Sequence, residues 1–244
     1  MDKKVLIKEI EELKKEILIL KGINQNKSKA FSDVKIKDLT NLVDIKKVID
    51  KSRFNIWFNK DILLSKDIES FLEDLISEYE PVLSNFNEDT LKVKFIGTIL
   101  NKIKFANFDL NINDFYHSPL NFKNDKLNFN GYCDFYIAKG LYEAEKPYFF
   151  IQEYKPSMGG THPEPQLLAE LICAIELNEW KVIKGAYIIG AIWNFVILEK
   201  LEDNKYQYFV SSNFDSTDIE KLKGIYKNLL FIKDEIIEMV KKNG

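Results

Sequence analysis

Residues 130–155 hold the side chains with the clearest chemical potential. Two apolar runs, YCDFYIA and PYFFIQEY, read as strands, and each carries a carboxylate where a polar side chain is costly: Asp134 in the first, Glu153 in the second. Lys155 follows Glu153 by two positions, and in an extended strand such a pair projects from one face. If the two runs pair as a hairpin, Asp134 reaches that face as well. Two carboxylates and an ammonium converging on an otherwise apolar sheet suit a hard divalent cation, because carboxylate oxygens match Mg²⁺ and a lysine beside it can serve the chemistry. The plainer alternative is a surface hairpin whose charges face water, with Phe150 and Tyr154 turned away from the acids.

The elements around this stretch decide between the two. Upstream, Asn87 caps a helix, EDTLKVKFIGTILNKIKF, with Leu91, Phe95, Ile99 and Ile103 along one face and Glu88 in the first turn, near the positive end of the helix dipole. Residues 107–113 alternate like an edge strand, and 114–129 read as a polar loop holding His117 and Pro119. Downstream, the breaker-rich PSMGGTHPEP leads into a helix from about Glu164 to Glu179 that carries Gln166 and Glu170. Three strands follow, VIKGAYIIG, WNFVILEKL and KYQYFVSS, and then an amphipathic helix over about 216–241. Helix, strands, helix and strand in this order predict a mixed α/β fold with a central sheet.

The N-terminal third reads differently. Residues 2–21 form an amphipathic helix whose Leu6, Ile10, Leu13, Ile17 and Leu20 make a heptad seam. That seam suits a homodimer contact through residues 6–20, or a helix lying on its own domain. Residues 22–33 read as a linker, 38–51 as helix, RFNIWFN as a short extended piece with Trp57 in the core, and 65–80 as a helix capped by Ser65 and ended by Pro81. The domain reading is an N-terminal helix over 1–24, a helical region over 25–82 and a site-bearing domain over 83–244.

Composition bounds the function. The chain has 244 residues, is 45% hydrophobic and 30% charged, and carries a net charge of −3, which argues against a broad nonspecific grip on nucleic acid through overall charge. A local stripe of Lys92, Lys94, Lys102 and Lys104 either tracks a phosphate backbone or forms a solvated face. No run of 18 apolar residues and no signal-like apolar segment occurs, so no membrane partner is expected. Cys133 and Cys173 sit in apolar contexts and read as reduced core residues in a cytoplasmic protein. CxxC and HExxH are absent, leaving little support for zinc.

Asp134, then eighteen residues, then Glu153-Tyr154-Lys155, set between two helices of which the second has an early glutamine, resembles the PD-(D/E)XK nuclease superfamily. NGYCDFYIA, FFIQEYKP, QLLAELICAIELNE and GAYIIGAIWNFVILEK are similar to a bacterial group of small, largely uncharacterised proteins in that superfamily, over about residues 87–200. The resemblance implies a restriction-endonuclease-like sheet flanked by helices. It implies Mg²⁺, with Mn²⁺ as a substitute, held by Asp134 and Glu153 with Glu88 completing the shell. It further implies Lys155 as the residue that positions or activates the attacking water and stabilises charge at phosphate, Gln166 as a helix residue near the site, and nucleic acid, DNA before RNA, as substrate. The superfamily's proline-aspartate dipeptide is absent, since Cys133 precedes Asp134. Glu170 reads as a helix-surface acid or as a partner for Gln166, and His162 and His117 as ordinary loop histidines or, for His162, a phosphate contact. The rival reading is a catalytically inactive nuclease-fold module that binds or assembles as a homodimer.

Overall fold

The computed structural model describes residues 28–157, 161–202 and 204–243, with Glu9, Ile10, Glu12, Leu13 and Ile17 of the N-terminal segment. Those five are helical and exposed; Leu6 and Leu20 of the heptad seam lie outside the described residues.

The strands are β1 (Lys29–Ala30), β2 (Asp44–Lys47), β3 (Ile112–Lys123), β4 (Asn128–Lys139), β5 (Glu145–Lys155), β6 (Val182–Ile189), β7 (Ile192–Glu202), β8 (Lys205–Val210) and β9 (Phe214–Asp215). They form one nine-stranded mixed sheet in the order β1-β4-β5-β6-β7-β8-β2, with β3 on β4 and β9 on β7. The helices are α1 (Ile36–Leu42), α2 (Lys66–Leu83), α3, α4 (Glu164–Asn178) and α5 (Ile219–Asn243). α3 is composite: it opens over Glu88–Thr90, widens into a π-helix over Leu91–Ile96 and closes over Gly97–Ile103.

Alternation along the strands divides the core in two. Phe135, Ile137, Phe150 and Tyr154 pack with Leu91, Phe95 and Ile99 of α3 and Leu222 and Leu229 of α5. Cys133, Tyr136 and Ile151 pack with Leu167, Leu171 and Ile175 of α4 on the other face. α4 also lies under Phe31 and Leu39, so every residue from Gln166 to Ile175 is buried, which is why its sequence is apolar on nearly all sides. Gly185 admits this helix: a Cβ there would stand 2.8 Å from the Ile151 carbonyl oxygen and 3.1 Å from Leu171.

The central motif follows the expected order. β4 and β5 pair antiparallel with Phe135 opposite Gln152, a register that carries Asp134 opposite Glu153. β5 and β6 pair parallel through the α4 crossover. Ser65 and Asn87 cap as expected, accepting from the backbone N–H groups of Ile68 and Thr90. Asn87→Ala is expected to cost about 1 kcal/mol, the usual worth of such a cap, and a urea titration checks it; an unchanged midpoint would remove the cap from the account of how α3 is held.

Several local expectations are corrected. The supposed loop over 114–129 is mostly strand, β3 running from Ile112 to Lys123 after a 3₁₀ turn at Phe108–Leu110. Its polar composition is that of a half-exposed edge. Pro119 is tolerated there, and His117, with φ of 44°, interrupts the alternation. Residues 38–51 are not one helix: α1 ends at Leu42 and β2 pairs in parallel with β8. RFNIWFN is helical rather than extended, with Trp57 buried and its indole N–H donating to the Asn228 carbonyl at 2.9 Å. Of the supposed linker, Lys29–Asp33 belongs to the fold, and Phe31 stacks on Phe129 at 6.2 Å. The helical region over 25–82 thus lends two strands to the sheet. Pro81 lies inside the last turn of α2, and α5 starts at Ile219.

Candidate functional site

Where β4, β5, α3 and α4 meet, the chain gathers acids and lysines that its apolar surroundings hold away from water. Asp134, Glu153, Gln166 and Glu170 are all buried, and Glu170 is 0% exposed. Lys155 Nζ donates to Glu153 Oε1 at 2.7 Å and lies 3.6 Å from Glu88 Oε2. Gln166 Nε2 donates to Glu170 Oε1 at 3.1 Å. Asp134 is gripped twice: Lys92 Nζ donates to Oδ1 at 2.7 Å, and the Tyr154 backbone N–H donates to Oδ2 at 2.9 Å.

Each placement has a local cause. Glu153 and Lys155 share a face by strand period. Asp134 sits where β4 loses its regular alternation, Cys133 packing on the α4 side and Phe135, two positions later, on the opposite side. Gln166 and Glu170 are one helical turn apart and so face the same way. Glu88 opens α3 with 40% of its side chain exposed and stands at the rim, beside Lys155 rather than among the buried acids.

The electrostatics are those of too many acids in too little water. Burial pushes the Glu153 carboxyl up to about 8, neighbouring Asp134 adds to this, and Lys155 opposes it. Burial, then Glu153, push the Glu170 carboxyl well above the usual range. Burial alone would lower the Lys155 ammonium, but Glu153, Asp134 and Glu88 hold it above its ordinary value. Glu153 Oε2 and Glu170 Oε2 have no hydrogen-bond partner, and an unpartnered buried carboxylate oxygen calls for a proton or a cation. Glu170→Gln keeps an acceptor for Gln166 while deleting a buried ionisable group. It is expected to raise stability by about 1–3 kcal/mol at pH values above the ordinary carboxyl range, read from urea midpoints in chelator; a lower midpoint there would contradict the cost of burying Glu170.

Asp134, Glu153, Lys155 and Gln166, the residues expected to be catalytic, are therefore gathered in one cluster, with Glu88 at its edge. Among the described residues, no three His, Cys, Asp or Glu side chains are gathered for metal ligation. Of the two readings of Glu170, the structure favours the partner for Gln166 over the surface acid, and the signal was present in LLAELICAI, where it is the lone charge in an apolar run. Lys92 was grouped with a basic stripe from which it departs: Lys94, Lys102 and Lys104 are exposed, whereas Lys92 turns to Asp134. His162 accepts from the Glu164 N–H and meets the Tyr187 ring. Cys133 and Cys173 are free and buried, and burial pushes both thiols well up.

No protein-family model matches the chain and no curated protein matches it. Among the described residues, no helix is long and apolar enough to cross a membrane.

Proposed function

We propose that the chain is a Mg²⁺-dependent nuclease of the PD-(D/E)XK type, acting on phosphodiester bonds of nucleic acid, DNA before RNA, in a cytoplasmic setting. The observation that carries this reading is the convergence of Asp134, Glu153 and Lys155 in one cluster, with one unpartnered carboxylate oxygen on Glu153 and another on neighbouring Glu170. The order α3, β3, β4, β5, α4, β6 around them supports the restriction-endonuclease-like core.

The donor set fits a hard cation, being made of carboxylates, with Glu153 Oε2 unpartnered. Asp134 and Glu153 would hold Mg²⁺ or Mn²⁺, with Glu88 reaching in from the rim. When bound, the cation lowers the pKa of a water and offsets charge on phosphate. The remaining work falls to the chain. Lys155, held protonated by the acids around it, serves as a fixed positive charge for the anionic phosphorane rather than as a base. Gln166 and Glu170, bonded to each other, brace the floor beneath Glu153. The buried walls exclude bulk water and so strengthen every charge interaction inside.

The test is cleavage of end-labelled single- and double-stranded DNA and RNA with Mn²⁺ or chelator. Wild type is expected to cut at least one of them only with metal, and Asp134→Ala to cut none while remaining folded. Equal cleavage by the variant would sink the assignment.

A second reading, a non-catalytic homodimeric module, is favoured by Ile10, Leu13 and Ile17, each about half exposed on helical residues. It predicts no metal binding at millimolar Mn²⁺ and a dimer in light scattering that a truncation lacking residues 1–24 abolishes.

A further inference from the structure

We infer that Lys92 is an internal counter-cation that occupies Asp134 in the metal-free protein and must let go before a divalent cation binds. The inference rests on the metal-site reading above and adds a residue and a competition to it.

Three features of this chain converge on Lys92. Its Nζ lies 2.7 Å from Asp134 Oδ1, with 17% of the lysine side chain exposed and 8% of the aspartate's. Nζ also lies 5.8 Å from the centre of the Tyr154 ring, and the Tyr154 N–H holds the other oxygen of the same aspartate. The ammonium is thus seated between a π face and a carboxylate rather than lying along the surface. The backbone beneath it is distorted as well. Lys92 lies in the π-helical stretch, and its carbonyl accepts from the N–H of Gly97, five residues on. A π turn inside an α-helix carries fewer hydrogen bonds per residue and recurs at functional positions. Gly97 permits it: a Cβ there would stand 2.7 Å from the Lys92 carbonyl oxygen.

The charges give the arrangement its sense. Glu153 already has Lys155 on one oxygen. With Lys92 on Asp134, each carboxylate nearest the proposed metal position has its own ammonium. A divalent cation entering between them would stand close to two positive charges, and repulsion would favour release of Lys92, which one carboxylate holds, over Lys155, which has both Glu153 and Glu88 beside it. Nearly one-fifth exposed, Lys92 has a route outward, where a substrate phosphate can receive it. The same residue would therefore suppress metal binding in the absence of substrate and add a phosphate contact in its presence.

Calorimetric Mn²⁺ titration of the full chain, without nucleic acid, tests this directly. Lys92→Met is expected to bind Mn²⁺ at least about tenfold more tightly than wild type, one decade corresponding to roughly 1.4 kcal/mol. Lys92→Gln, which keeps a hydrogen bond to Asp134 without the charge, should show the same direction and guards against misfolding of the methionine variant. Lys94→Met removes an exposed lysine of the same helix and should leave affinity unchanged. Equal or weaker Mn²⁺ binding by both Lys92 variants overturns the counter-cation role and leaves the metal site standing. An equal gain in Lys94→Met also overturns it, as an effect of net charge alone. If wild type and all three variants fail to bind Mn²⁺, the metal-site reading falls and this inference with it.

Discussion

Lys155→Ala is expected to lose roughly 10²- to 10³-fold of metal-dependent cleavage, the usual consequence of deleting one preorganised charge from a water-excluded site. The fold should survive. Lys155 lies at the last position of β5 with its side chain partly exposed, so the truncation opens no sealed cavity. Glu153 would lose its partner, but its carboxyl is already poised to take a proton near pH 8, and the proton replaces the ammonium as compensation. Single-turnover cleavage of an end-labelled oligonucleotide separates the chemical step from product release, and circular dichroism with a thermal melt monitors the fold. Wild-type cleavage by a folded Lys155→Ala would remove Lys155 from the mechanism. A loss confined to substrate affinity, with the single-turnover rate at saturation unchanged, would reassign it to binding.

In metal-free buffer the protein is expected to become less stable as pH rises from about 4.5 towards about 8, contrary to the behaviour of a protein held by ordinary surface carboxylates. The sign follows from Glu153. Its folded-state pKa, about 8, lies above the ordinary 4.5, so the folded protein binds the proton more tightly than the unfolded chain does. That preference stabilises the fold fully below the ordinary value and disappears as pH passes through the folded one. At roughly 1.4 kcal/mol per pKa unit, the Glu153 shift alone corresponds to several kcal/mol, and Glu170 acts in the same direction. The depressed carboxyls of Asp38 and Asp50 titrate below this window and do not offset it. Urea midpoints measured with chelator from about pH 5 to pH 8.5 should fall, and Glu153→Gln should flatten the slope. A slope unchanged in Glu153→Gln would show that the burial of Glu153 is relieved by water or by rearrangement.

These two expectations draw on different kinds of information. The pairing of Lys155 with Glu153 was legible from two positions in a strand. The protonation of Glu153 was not, because it depends on how much protein surrounds the carboxyl. α4 makes the same distinction. Its existence and its Gln166 were readable from composition and spacing, whereas the burial of Glu170 depends on Phe31 and Leu39 packing into the same core, from a segment that reads as linker and helix. β3 was missed for a related reason. A half-exposed edge strand with a proline and a left-handed histidine has the composition of a loop, and only its pairing with β4 makes it a strand.

What the sequence determined by itself was local: the caps at Ser65 and Asn87, the strand alternation of β5 to β8, the shared face of Glu153 and Lys155, and the order of elements that places them in an α/β sheet. These depend on backbone periods and on hydrogen bonds between residues a few positions apart. The tertiary structure alone decided which charges meet. Lys92 and Asp134 are 42 residues apart, and nothing in either local pattern selects the other. Their pairing, the burial of Glu170 and the raised pKa of Glu153 all follow from closing α3 and α4 over the sheet, which removes the water that would otherwise keep those groups independent.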